Sequence, residues 1–96
     1  MATTVKLSDH SLIAQSEGAI ASQVDGEAVI LDIESGYFFQ LNRPGSHIWW
    51  AIETQSTLAA VCERLQDTFD VAPETCRDEA VEFLNILHEK GLVTVS

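Results

Sequence analysis

Leu31-Asp-Ile-Glu-Ser-Gly-Tyr-Phe-Phe-Gln-Leu-Asn-Arg-Pro-Gly-Ser-His-Ile-Trp49 begins as a β-hairpin and ends as a helix. Glu34-Ser35-Gly36 makes the turn, and Gly36 permits the reversal. A short aromatic strand follows, Tyr37 to Leu41, with Tyr37, Phe39 and Leu41 on one face and Phe38 and Gln40 on the other. Phe38 lies opposite two aromatics, so both faces are expected to be partly covered. Asn42 stops the strand and caps a helix, with Pro44 in its first turn, where a missing N–H costs little. Gly45, Ile48, Trp49 and Ile52 then repeat at helical spacing. The strand is the last of its meander, so one of its edges is unpaired. An open edge beside an apolar groove is a place where an extended peptide can dock.

Upstream, Val24-Asp25-Gly26-Glu27 joins two apolar runs, Ala19 to Val24 and Glu27 to Ile33. Asp-Gly at that place is a strong hairpin signal, because a tight primed turn needs positive φ. Three antiparallel strands are therefore predicted in series, preceded by a short strand over Ser11 to Ala14. The residues from Met1 to about Asp9 are polar and read as a ragged start. Downstream, Ser56 or Thr57 caps a second helix bearing Leu58, Val61, Cys62, Leu65 and Phe69. Asp70-Val71-Ala72-Pro73 breaks the pattern. Glu74 and Thr75 open a third helix, with Cys76, Ala80, Phe83, Leu84 and Leu87 on its main apolar face. Gly91 ends it behind Lys90, and Leu92 to Val95 closes the chain as a short strand. Strands first, then three helices and a terminal strand, make a winged helix-turn-helix-like α+β domain. The whole chain, 1–96, reads as one domain, its core running from about residue 11 to 95.

Composition narrows the function. The chain is 96 residues long and 46% hydrophobic, enough for a core without staples. Fifteen acidic residues against five basic ones give a net charge of −10, spread along the sequence as a solvated surface. That charge repels phosphate backbones and favours cationic or neutral partners. A recognition helix presenting Arg77, Asn85 and Lys90 among Glu74, Asp78, Glu79, Glu82 and Glu89 would repel DNA. Tyr37-Phe38-Phe39 would suit base stacking, but no basic groove accompanies it. No run approaches a membrane span, and the opening residues lack the apolar stretch of a signal peptide, so a cytoplasmic protein is expected.

No catalytic motif stands out. There is no glycine-rich phosphate loop, no HExxH and no CxxC. Cys62 and Cys76 lie on separate helices and read as buried small hydrophobes, while His10, His47 and His88 are too scattered for a metal set. Asp32 and Glu34 flank a turn and read as turn chemistry. Neither an enzyme, a metal nor a cofactor is expected. Trp50 falls off the helical stripe. It either marks a contact with a partner or a second copy, or packs against the N-terminal segment.

The motif Glu34-Ser-Gly-Tyr-Phe-Phe-Gln-Leu-Asn-Arg-Pro-Gly-Ser-His-Ile-Trp49 resembles the PqqD family's G-x-Y-F-x-L-N-x-x-G-x-x-I-W. Gly36, Phe38 (in place of Tyr), Phe39, Leu41, Asn42, Gly45, Ile48 and Trp49 match in register. Glu79-Ala-Val-Glu-Phe-Leu-Asn-Ile-Leu-His-Glu-Lys-Gly-Leu-Val93 is similar to the family's D-V-x-x-F-L-x-x-L-x-x-x-G-L-[LV]. The resemblance covers about residues 19 to 95. It implies a peptide chaperone that binds the leader of a ribosomally made precursor and presents the core to a modifying enzyme. That enzyme is a leader protease or cyclase in lasso-peptide pathways and a radical S-adenosylmethionine enzyme in pyrroloquinoline quinone synthesis. The start of this chain lacks the Arg-rich opening of the quinone branch, so the lasso and general modified-peptide branch is the closer one. A purely structural accessory subunit is the rival reading.

On this reading the leader adds as a strand to Tyr37, Phe38, Phe39, Gln40 and Leu41. The third helix forms the opposite wall, with Arg77, Val81 and Leu84 along one flank and Arg77 set to pair with a leader acid. Val81 and Leu84 read equally well as core, because periodicity does not separate a groove from a core. The open edge can also pair with a second copy of the chain.

Overall fold

The computed structural model describes residues 6–96. In chain order the elements are β1 (Leu12–Gln15), β2 (Ala19–Val24), β3 (Glu27–Asp32), β4 (Phe38–Gln40), α1 (Arg43–Ala51), β5 (Ser56–Thr57), α2 (Leu58–Thr68), α3 (Pro73–Glu89) and β6 (Val93–Val95). The predicted meander is present as a sheet of order β2-β3-β4. Asp25 and Gly26 turn it with φ of 52° and 80°, the positive pair that a primed hairpin turn requires. At the next reversal the Asp32 carboxylate accepts hydrogen bonds from the Glu34 N–H and the Ser35 hydroxyl, and Gly36 takes φ 78°.

Strand periodicity sorts this sheet into two faces. Ala28 and Ile30 on β3 are fully buried, with Phe39 opposite Ile30 and packed against the core. Residues of the other parity, Ile20, Val24, Ile33 and Phe38, are exposed apolar side chains. The expected cover over Phe38 is not there, since Phe38 is 70% exposed. Its neighbours across the ladder, Leu31 and then Ile20, continue the same open face.

A second sheet, β5-β1-β6, ties the two chain ends to the helix-turn-helix. Leu12 lies opposite Thr57, Ile13 opposite both Ser56 and Val95, and Gln15 opposite Val93. The predicted first strand is thus real and one residue further on, at Leu12–Gln15. β5 had no legible signal, because two residues carry no period. The ragged start is also shorter than read. Leu7 is buried in the core and Asp9 pairs with Arg77. Residues 1–5, the rest of that stretch, lie outside the described residues.

The helices begin and end where their capping chemistry puts them. The Asn42 side chain accepts from the Gly45 N–H at 2.9 Å and Thr57 from the Ala60 N–H at 3.2 Å. α3 starts at Pro73 with no side-chain cap. It ends on Gly91 at φ 76°, with the Leu92 N–H donating to the Leu87 carbonyl at 2.9 Å. Trp49, Ile52, Leu58, Leu84 and Leu92 join Ile13 and Ile30 in the fully buried centre. Trp50 is half-buried, its ring edge-on to His47, which itself meets Phe69. Among the described residues no helix is long and apolar enough to cross a membrane.

Candidate peptide-binding groove

The main chain of β4 is aimed by its neighbours. The Asp32 N–H donates to the Tyr37 carbonyl, and the Leu41 N–H donates to the Ala28 carbonyl, each at 2.9 Å. In an antiparallel ladder such bonds fall on alternate residues. Tyr37, Phe39 and Leu41 therefore turn their backbone groups to β3, and Phe38 and Gln40 turn theirs outward. Among the described residues no strand pairs on that side.

Ser46 holds the far end of the edge. Its buried hydroxyl accepts from the Ala28 N–H at 2.7 Å and donates to the Leu41 carbonyl at 3.2 Å. One side chain from α1 thus fills the gap where β3 and β4 part, and no backbone group there is left unpaired. Nothing local to Ser46 marks this role, because a serine in a helix is ordinarily solvated.

Past Leu41, starting at Asn42, a cavity of about 380 Å³ lies between α1, α2 and α3. Asn42, Pro44, Gly45 and Ile48 form one wall and Cys76, Glu79, Ala80 and Phe83 the other. Leu65, Phe69 and Val71 close the end. A Cβ on Gly45 would sit 2.8 Å from Phe83 Cζ. The motif glycine is what lets α1 and α3 approach this closely. At the other end of α3, Lys90 Nζ stands 5.3 Å from the centre of the Phe39 ring. α3 thus runs from the cavity to the Phe39 side chain of β4.

The predicted site residues divide into two groups. Tyr37, Phe38 and Gln40 are exposed along the edge, with the Gln40 amide donating to Glu27 at 3.2 Å. Phe39 is half-buried beneath Lys90, and Leu41 is buried. Arg77, Val81 and Leu84, expected along the opposite wall, do not line the cavity. Arg77 pairs with Asp9. Val81 packs half-buried against the core, and Leu84 is fully inside it. The flank of α3 that faces the cavity is displaced round the helix, and Glu79 and Phe83 are its residues that the sequence reading left out of the site.

Of the two thiols, Cys76 lines the cavity wall and Cys62 lies behind it. Burial pushes the Cys62 thiol up to about 11, with the neighbouring Cys76 adding to it. Burial also raises Cys76; the Cys62 side-chain thiol opposes that rise and the Glu79 charge adds to it. The Cys76 thiol donates to the Cys62 carbonyl at 3.7 Å. Both stay protonated at neutral pH and act as packing groups, poor nucleophiles and poor ligands. Among the described residues no group of three His, Cys, Asp or Glu side chains is placed to hold a metal.

The fold recurs in solved structures. One is TbiB1 in complex with the TbiA(beta) leader peptide, with 25% identity and a TM-score of 0.79 over 83% of this chain and 93% of that one. Another is a lasso peptide synthetase B1 complexed with the leader peptide, with 22% identity and a TM-score of 0.76 over 85% and 96%. A third is the solution structure of the PqqD truncation of Methylobacterium extorquens PqqCD, a functional and stand-alone recognition element for ribosomally synthesised and modified peptides. It has 16% identity and a TM-score of 0.76 over 93% and 95%. A comparison with curated proteins gave no match. The family model described as coenzyme PQQ synthesis protein D (PqqD) matches residues 27–93, more than two thirds of the chain. This protein belongs to the PqqD family.

Proposed function

We propose that this chain is a non-catalytic peptide chaperone. It binds the leader of a ribosomally made precursor as a fourth strand on β4 and delivers the precursor to a modifying enzyme in the cytoplasm. The observation that carries this reading is the outward backbone of Phe38 and Gln40 beside an apolar cavity. The leader complexes of TbiB1 and of lasso peptide synthetase B1 support it by their shared fold. The lasso and general modified-peptide branch takes its support from TbiB1. At 16% identity the Methylobacterium structure speaks for the fold alone.

Energetics assign the edge and the cavity separate tasks. The N–H and C=O groups of two residues offer at most a few new hydrogen bonds, each contributing about 0.5–1.5 kcal/mol net. Ordering a disordered leader costs roughly 2–5 kcal/mol. Strand pairing alone nearly cancels. Burying one large leader side chain in the cavity adds about 1.5–3 kcal/mol and tips the balance.

The enzyme seat in this reading is the outer sheet face of Ile20, Val24, Ile33 and Phe38, which no element covers among the described residues. An apolar patch of this kind on so small a domain marks a partner surface. Glu27 lies on this face, and Asp25 and Glu34 sit in the turns at its border. With the net charge of −10, they disfavour a second copy and suit a partner with basic residues round its own apolar face.

The test is an NMR titration of the labelled protein with the synthetic leader of the precursor encoded beside it. Saturable shifts at Tyr37 to Leu41 and along Cys76, Glu79 and Phe83 are expected. Gln40→Pro removes an outward N–H without touching the core, and should weaken binding at least tenfold in a folded protein. Unchanged affinity in that folded variant would sink the strand-addition reading.

A further inference from the structure

The cavity beyond β4 is apolar on nearly every side, and Glu79 is the one charged side chain in its lining. Glu79 is solvent-exposed and lines the cavity at its open side. Among the described residues no cation lines the cavity. Arg77 is taken by Asp9, the Arg43 guanidinium lies against the hairpin turn at Gly26, and Lys90 stands over Phe39. Glu74, Asp78 and Glu82 on the same helix are exposed and deepen the negative field. A cavity of about 380 Å³ is ample for one long side chain.

We infer that this cavity takes a lysine or arginine of the leader, its methylene stem packed between Ile48 and Phe83 and its cationic head paired with Glu79. The inference rests on the leader-binding reading and deepens it by naming a chemical class of leader residue. Long cationic side chains bury their stems along apolar surface while the head finds a carboxylate. An acidic leader residue at that position would meet like charge and be rejected. The polarity is therefore the reverse of the one expected when Arg77 was assigned to the groove, because that arginine is already satisfied by the N-terminal segment.

The experiment uses fluorescence anisotropy at low and high salt. The probes are the leader of the precursor encoded beside this chain and a set in which each lysine or arginine becomes norleucine singly. One replacement is expected to weaken binding about fivefold at low salt, the upper scale of an exposed ion pair, and less at high salt. Glu79→Gln should weaken the native leader by the same factor and be blind to that replacement. Glu82→Gln, on an exposed neighbour outside the cavity, should change affinity less than twofold. If the chain binds its leader but no basic replacement loses affinity, or Glu79→Gln is silent, the inference is overturned and the leader reading stands. A leader that contains no basic residue and binds fully overturns it too. If no leader binds the unsubstituted chain at all, both readings fall.

Discussion

Two flanks of α3 carry similar residue types and meet different surroundings. Cys76, Glu79, Ala80 and Phe83 look across a cavity to α1. Arg77, Val81 and Leu84 look to Asp9 and into the core. Each flank offers one charge and a few apolar groups, yet one is open and the other closed. What separates them is the partner each finds. The N-terminal segment seals the second flank, with the Ala59 N–H donating to the Asp9 carbonyl at 3.3 Å. On the first, Gly45 brings α1 into contact with Phe83, and Phe69 and Val71 from the α2–α3 connection line the space behind. A binding flank on this helix is thus one that the chain's own segments leave uncovered.

The largest expected effect lies on the closed flank. Leu84 is fully buried, so Leu84→Ala should cost about 2–5 kcal/mol in urea unfolding, the range for an emptied leucine site. Leader affinity of the fraction that stays folded should hardly change. If Leu84→Ala instead weakened binding while stability held, the two flanks would not be distinct.

A middle-sized effect is expected where the open flank meets α1. Gly45→Val places methyl groups where Phe83 Cζ now sits, and overpacking of this kind costs about 1–3 kcal/mol. The displaced ring has the cavity to move into, so leader binding should fall more than stability does. Adding Phe83→Ala should recover part of the lost stability, a coupling that a double-mutant cycle reads directly. Full additivity of the two changes would mean that the contact does not shape the cavity.

The unequal legibility of the two regions has a physical cause. The strand-turn-helix stretch was readable because each step has its own local chemistry: Asp25-Gly26 and Gly36 for the turns, Asn42 for the cap, Pro44 for the first helical turn. The edge was readable for the same reason, since a meander's last strand has no sequence neighbour on its far side. The choice of flank on α3 was not local. It depends on Asp9, far away in sequence, pairing with Arg77, and on Gly45 meeting Phe83. Hydrophobic spacing gives the width of an apolar stripe and not what stands opposite it. Ser46 and β5 escaped for a related reason: one hydroxyl and two residues carry no period, and their partners come from remote segments.

The smallest effect is the sharpest test of the comparison. Arg77 and Asp9 pair at the surface, with 42% and 58% of their side chains exposed. Exposed pairs of this kind contribute about 0–1 kcal/mol, screened by salt. Arg77→Met keeps most of the stem and removes the charge, so thermal unfolding should shift by only a few degrees at low salt and less at high salt. Leader affinity should stay within twofold, because the arginine faces away from the cavity. A drop as large as that expected for Glu79→Gln would mean that the N-terminal segment lifts away and frees Arg77 for the leader. The closed flank would then be a second wall of the groove.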